Sequence, residues 1–221
     1  MSLYARLLRH KMEEALLDTP VVCLLGARQV GKSTLCQQLA PKRTYLTLDD
    51  HTTLQVAQRD PSGFIQSLPE YVTLDEVQRA PEVLFAIKAE VDRNRKPGRF
   101  LITGSANLLL LPKVKESLAG RIEILHLHPL TELEKEQGQP VFLQKMLSQQ
   151  FAASITSSQL ELSGIAERVC NGGYPEPNTR APNRARQWFK QYLQTIIQND
   201  VKNIANIRDE DELLHLTKLL A

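Results

Sequence analysis

The sequence predicts an α/β fold, a parallel sheet of five strands flanked by helices, followed by an α-helical C-terminal segment. Three observations carry that expectation. Short apolar runs without polar alternation, VVCLL at residues 21–25 foremost, are the pattern of strands covered on both faces. These runs alternate with helical patterns through about residue 140. Beyond Gly138 and Pro140 the strand patterns stop and helical ones continue.

Each element has its own justification. Residues 3–17 interrupt their apolar positions with Arg6, Arg9, Lys11, Glu13 and Glu14, so they read as an amphipathic helix and not as a secretory signal. The strand Val21–Leu25 leads through glycine into a helix from Gly31 to Ala40. Further strands are expected at Thr44–Leu48, Tyr71–Leu74, Phe100–Thr103 and Ile122–Leu127. Between them lie helical stretches at His51–Gln58 and Gly63–Leu68, and a helix opened by Pro81 that ends near Asp92, before Pro97 and Gly98. Residues 141–169 read as helical with a polar break at Thr156–Ser158, and NGGYPEP at 171–177 is loop chemistry. A long helix then carries Phe189, Leu193, Ile196, Ile197, Val201, Ile204 and Ile207, and a last one holds Leu213, Leu214, Leu216, Leu219 and Leu220. The expected organisation is a core over 1–140, a helical connector over 141–170 and a separate C-terminal part over 171–221.

Composition narrows the function classes. With 221 residues and 42% hydrophobic, the chain can bury a sizeable core. Its 27 basic and 25 acidic residues supply no global field for nucleic acid or an anionic membrane. The longest apolar stretches, Val21–Leu25 and Leu108–Leu111, are far too short to cross a bilayer, and a cytoplasmic protein is expected. Cys23, Cys36 and Cys170 form no C-x-x-C pair and read as buried apolar residues of a reducing compartment.

The strongest motif is GARQVGKS, Gly26 to Ser33, which satisfies G-x-x-x-x-G-K-[ST] between a buried strand and a helix. Gly26 and Gly31 permit backbone angles that let successive N–H groups, those of Ala27, Arg28, Gln29, Val30 and Thr34 among them, converge on phosphate oxygens. Lys32 is placed to neutralise the terminal phosphates, and the Ser33 hydroxyl to ligate magnesium. YVTLDE, residues 71–76, ends a buried strand in two carboxylates. Asp75 would hold the metal, and Glu76 would orient and polarise an attacking water. FLITGS, residues 100–105, presents either Thr103 or Ser105 to the γ-phosphate or to the water, or else caps the next helix.

GARQVGKST, TLDEVQRAPE, FLITGSANLLLL, SLAGRIEILHLHPLT and GGYPEP occur in this order and together resemble a large prokaryotic family of AAA-type ATPases. These P-loop NTPases join an ATPase core to a C-terminal domain of unknown function. The resemblance implies ATP and Mg2+ as ligands, with Asp75 on the metal, Glu76 as the base and Thr103 or Ser105 as the γ-phosphate sensor. It implies that the strand ending at Thr103 lies between the phosphate-loop strand and the Asp75 strand. It also draws attention to Arg121, which is either an arginine finger reaching a neighbouring subunit in a homo-oligomer or a strand-edge residue paired to Glu123 or Glu116. The C-terminal domain of that family continues beyond Ala221, so a truncated domain is expected here.

Weaker features have plainer readings. His126 and His128 share one strand face and are read as structural, not as a metal pair. Arg180, Arg184, Arg186 and Lys190, with Trp188 and Tyr192 between them, are read as a solvated helix face on aromatic anchors, with DNA binding as the alternative. The leading function is a magnesium-dependent ATPase that couples hydrolysis to conformational change. The alternative is a nucleotide-gated module binding DNA or protein. A small-molecule kinase is disfavoured, since no arginine-rich lid is evident.

Overall fold

A computed structural model describes residues 4–39, 43–105, 119–148 and 162–197. The chain divides into two compact units, Met1–Phe142 and Leu143–Ala221. The first holds the sheet: β1 (Val21–Leu25), β2 (Thr44–Thr47), β3 (Val72–Asp75), β4 (Phe100–Gly104) and β5 (Ile122–His126). All pairings are parallel, and the order is β2-β3-β4-β1-β5. The strand ending near Thr103 therefore does lie between the other two, as the resemblance implied.

Parallel pairing needs a crossover between strands, and the helices supply it. Among the described residues they are α2 (Lys32–Gln38), α3 (His51–Arg59), α4 (Pro61–Ser67) and α5 (Val83–Arg93), while α1 (Leu8–Asp18) precedes the first strand. Every residue of β1, β3 and β4 is buried, which is why these strands lack polar alternation. Local chemistry sets several helix starts. Asp50 accepts from the Thr53 N–H at 2.8 Å to cap α3, and Asp60 accepts from the Gly63 N–H at 2.9 Å to cap α4. With Pro61 in the first turn, α4 starts two residues before the expected Gly63.

The N-terminal helix also departs from expectation. It begins at Leu8 and not at residue 3, because the segment before it is committed elsewhere. The Leu7 N–H donates to Glu134 at 2.9 Å, and the Arg6 side chain is buried. The reading of all three cysteines as buried holds for Cys23 and Cys36 and fails for Cys170, which is exposed. Cys170 sits near the end of Leu162–Asn171, a helix with no buried residue.

In the second unit, the NGGYPEP loop is pinned by aromatics of the helix Pro182–Thr195. The Trp188 and Tyr192 rings stack 4.9 Å apart, and the Tyr174 and Tyr192 hydroxyls share a hydrogen bond of 3.0 Å. Trp188 is buried, whereas Arg184, Arg186 and Lys190 are exposed. Leu108–Leu111, the polar break at 156–158, the helix continuation to Ile207 and the last helix fall outside the described residues.

Candidate nucleotide site

Register decides what meets at the sheet's C-terminal edge. Leu25 pairs with Gly104, Thr47 with Asp75, and Leu74 with Ile102. The residues that follow β1, β3 and β4 therefore emerge on one edge, where open parallel sheets hold their ligands.

The loop after β1 is built by its glycines. A side chain at Gly26 would place its Cβ 2.4 Å from the Leu127 carbonyl oxygen, so the loop can lie against the chain after β5 only without one. Gly31 has φ of 98°, the left-handed region that starts α2 without strain. Ala27, Arg28 and Gln29 are exposed, Val30 is buried, and Thr34 is exposed on α2. Lys32 is only 5% exposed, and its Nζ donates to the carbonyls of Gly26 and Ala27, both at 3.0 Å. Burial pushes its ammonium below the ordinary 10.5, while the Glu76 and Asp75 carboxylates nearby oppose that shift.

Asp75 is the hub. Its Oδ2 accepts from the Ser33 hydroxyl at 2.8 Å and from the Tyr45 hydroxyl at 2.6 Å, and its Oδ1 accepts from the Thr103 hydroxyl. Thr103 is fully buried, and its oxygen also accepts from the Glu76 N–H at 3.1 Å. Thr103 thus ties β4 to β3 with both its donor and an acceptor engaged. Ser105, one residue past the strand, is half-buried. Glu76 adopts φ of 60°, a left-handed conformation uncommon outside glycine and frequent at functional sites.

Residues 18–135 match the AAA domain, more than half of the chain. The chain belongs to the AAA domain family. Residues 162–221 match a domain of unknown function, as the GGYPEP resemblance implied. The chain is 38% identical over 197 residues to uncharacterized proteins of Mycobacterium bovis and Mycobacterium tuberculosis, a match covering 88% of it. It spans only 39% of the length of those curated relatives. Among solved structures, the fold is similar to that of a Walker-type ATPase of Pyrococcus abyssi. The TM-score is 0.53 at 16% identity, over 91% of this chain and 75% of that one.

Arg121 lies away from this edge. It precedes β5, at the opposite end of the sheet, and its backbone oxygen accepts from the Val21 N–H at 3.2 Å. A strand's length, about 15 Å, separates it from its own phosphate loop. Its guanidinium pairs with Asp92 and with the Ala119 carbonyl and not with Glu123, while Glu116, the other expected partner, lies outside the described residues. His126 and His128 are exposed with ring centroids 6.5 Å apart. Among the described residues, no group of three or more His, Cys, Asp or Glu side chains could hold a metal. Nor is any described helix long and apolar enough to cross a membrane.

Three features of the site were not anticipated. Tyr45 reaches Asp75 from β2, and burial followed by that hydrogen bond pushes its phenol well above the ordinary 10. Gln78 donates its amide N–H to the Glu76 carboxylate. Arg6 donates to the Val30 carbonyl at 2.8 Å, to the His128 carbonyl, and to Glu134 at 3.1 Å, so the N-terminal segment braces the phosphate loop. Of the three, only the Arg6 contact has a local signal, and it lies in the partner Glu134. T-E-L-E at 131–134 is a capping box, with Thr131 accepting from the Glu134 N–H at 3.2 Å.

Proposed function

We propose that the chain binds ATP with Mg2+ at this edge and hydrolyses it. One observation carries the reading: the Ser33 hydroxyl and the Asp75 carboxylate meet at 2.8 Å, beside the buried Lys32. A hydroxyl and a carboxylate are hard oxygen donors, and magnesium takes few protein ligands when phosphates supply the rest, so the donor set fits. Magnesium, when bound, neutralises charge on the phosphate oxygens.

The remaining work belongs to the chain. The backbone N–H groups from Ala27 to Thr34 bind the phosphates, and Lys32 exchanges two loop carbonyls for phosphate oxygens. Ser33 and Asp75 are the metal ligands. Glu76 orients the attacking water and accepts its proton as the water oxygen bonds to the γ-phosphorus. The bond to the β,γ-bridging oxygen breaks, and ADP leaves with that electron pair. Ser105, beyond the end of β4, is the candidate contact to the γ-phosphate. Thr103 holds the two acidic residues in place from inside the sheet.

Phosphate release from the purified protein tests this. Glu76→Gln is expected to bind ATP yet release phosphate roughly 10²–10⁴-fold more slowly than wild type. Equal rates in two proteins that both bind ATP would remove hydrolysis from this site.

A further inference from the structure

Gln78 makes two hydrogen bonds that no role above requires. It lies in the short 3₁₀ turn Val77–Arg79, directly after Glu76. Its Nε2 donates to Glu76 Oε2, and its Oε1 accepts from the Ser105 N–H at 3.3 Å. These partners fix the orientation of the amide. An ionised carboxylate has no proton to give and a backbone N–H has no lone pair, so nitrogen must meet Glu76 and oxygen must meet Ser105.

The Glu76 backbone is held as firmly as its side chain. Its N–H donates to Thr103 at 3.1 Å and its carbonyl accepts from the Arg79 N–H at 3.1 Å, which sustains the left-handed conformation. That conformation projects the side chain differently from ordinary strand geometry, and the Gln78 amide then fixes its far end. Glu76 and Ser105 follow different strands, and the Gln78 side chain touches both.

We infer that Gln78 is a positioning residue. It aims the Glu76 carboxylate and joins it to the end of β4, where Ser105 faces the γ-phosphate in the proposed ATPase. The inference rests on that reading. A freely rotating glutamate must be ordered in each cycle, whereas one already held by an amide meets the water in place.

The experiment is a double-mutant cycle on steady-state phosphate release, with equilibrium ATP binding measured alongside. Gln78→Met keeps side-chain volume and removes both hydrogen bonds. It is expected to lower kcat on the order of 10–10²-fold, the scale set by small misplacements of a reacting group. ATP affinity should stay within about twofold of wild type, because the phosphate loop is untouched. In a Glu76→Gln background the same substitution should cost nothing further, as Gln78 acts through the carboxylate. A merely structural residue would instead lower both backgrounds alike.

Gln78→Glu gives an independent check, since it keeps an acceptor for Ser105 and sets a second carboxylate against Glu76. It should lose at least as much kcat as Gln78→Met. Wild-type kcat in Gln78→Met, or an additive loss in the Glu76→Gln background, overturns the inference while leaving the ATPase reading intact. Equal phosphate release by wild type and Glu76→Gln overturns the ATPase reading, and the role of Gln78 with it.

Discussion

Glu134→Ala is expected to lower the unfolding free energy by about 3–5 kcal/mol in a urea titration, the cost of breaking a buried ion pair from one side. The side chains of Arg6 and Glu134 are 6% and 5% exposed, and Arg6 Nε donates to Glu134 Oε1 at 3.1 Å. The carboxylate is saturated: the Leu7 N–H shares Oε1, while the Thr131 N–H and hydroxyl donate to Oε2. Removing it leaves a buried guanidinium with the Val30 and His128 carbonyls but without the counter-charge of Glu134, and uncaps the turn at Thr131. Because Arg6 also braces Val30, nucleotide affinity should fall with stability.

The pair has a pH signature. Burial alone would raise the Glu134 carboxyl, but the N–H groups of Thr131 and Leu7, together with Arg6, outweigh it and hold the group below its ordinary 4.5. A depressed carboxyl stabilises the fold fully above the unfolded value and loses that contribution as pH falls through the lower, folded one. Wild type should therefore lose stability on acidification below about pH 4.5, and Glu134→Ala should lack that component. A variant with the wild-type urea midpoint and acid profile would show that Arg6 finds water when its partner is gone.

Lys32→Ala is expected to weaken ATP binding and to cut turnover by roughly 10²–10³-fold, the scale of losing one preorganised charge at developing phosphate charge. Lys32 turns its ammonium into the loop, on the carbonyls of Gly26 and Ala27, within the field of Asp75 and Glu76. Titration with a fluorescent ATP analogue, beside a circular dichroism spectrum that shows the fold retained, separates lost binding from lost structure. Wild-type affinity in the variant would place the phosphates somewhere other than this loop.

The fold and the placement of Lys32, Ser33, Asp75 and Glu76 at one sheet edge were legible because their signals are local. A strand buried on both faces reads as VVCLL, and a loop that must turn through φ of 98° reads as glycine at position 31. Asp75 and Glu76 could be placed because register alone carries the end of β3 to the same edge as the end of β1. What was missed depends on the packed chain. Arg6 and Glu134 lie 128 residues apart, and no window of sequence holds both. The start of α1 moved for the same reason, since helical periodicity does not record that Arg6 is needed at the phosphate loop. Tyr45 reads as an ordinary edge-strand residue until β2 is known to pair with β3. Gln78 reads as a turn residue until Ser105 arrives from β4.

The contrast among the thiols gives the molecule a built-in clock. Burial pushes Cys23 and Cys36 up to about 12, whereas Cys170 lies exposed. Reaction with a thiol-directed dye follows the thiolate, so the native chain should consume one equivalent at once and the next two only as the domain opens. Cys36 belongs to the helix that leads from the phosphate loop, one turn beyond Ser33. Its slow labelling therefore measures how often that helix comes loose, and a bound nucleotide should lengthen the wait by the same factor as it stabilises the closed form.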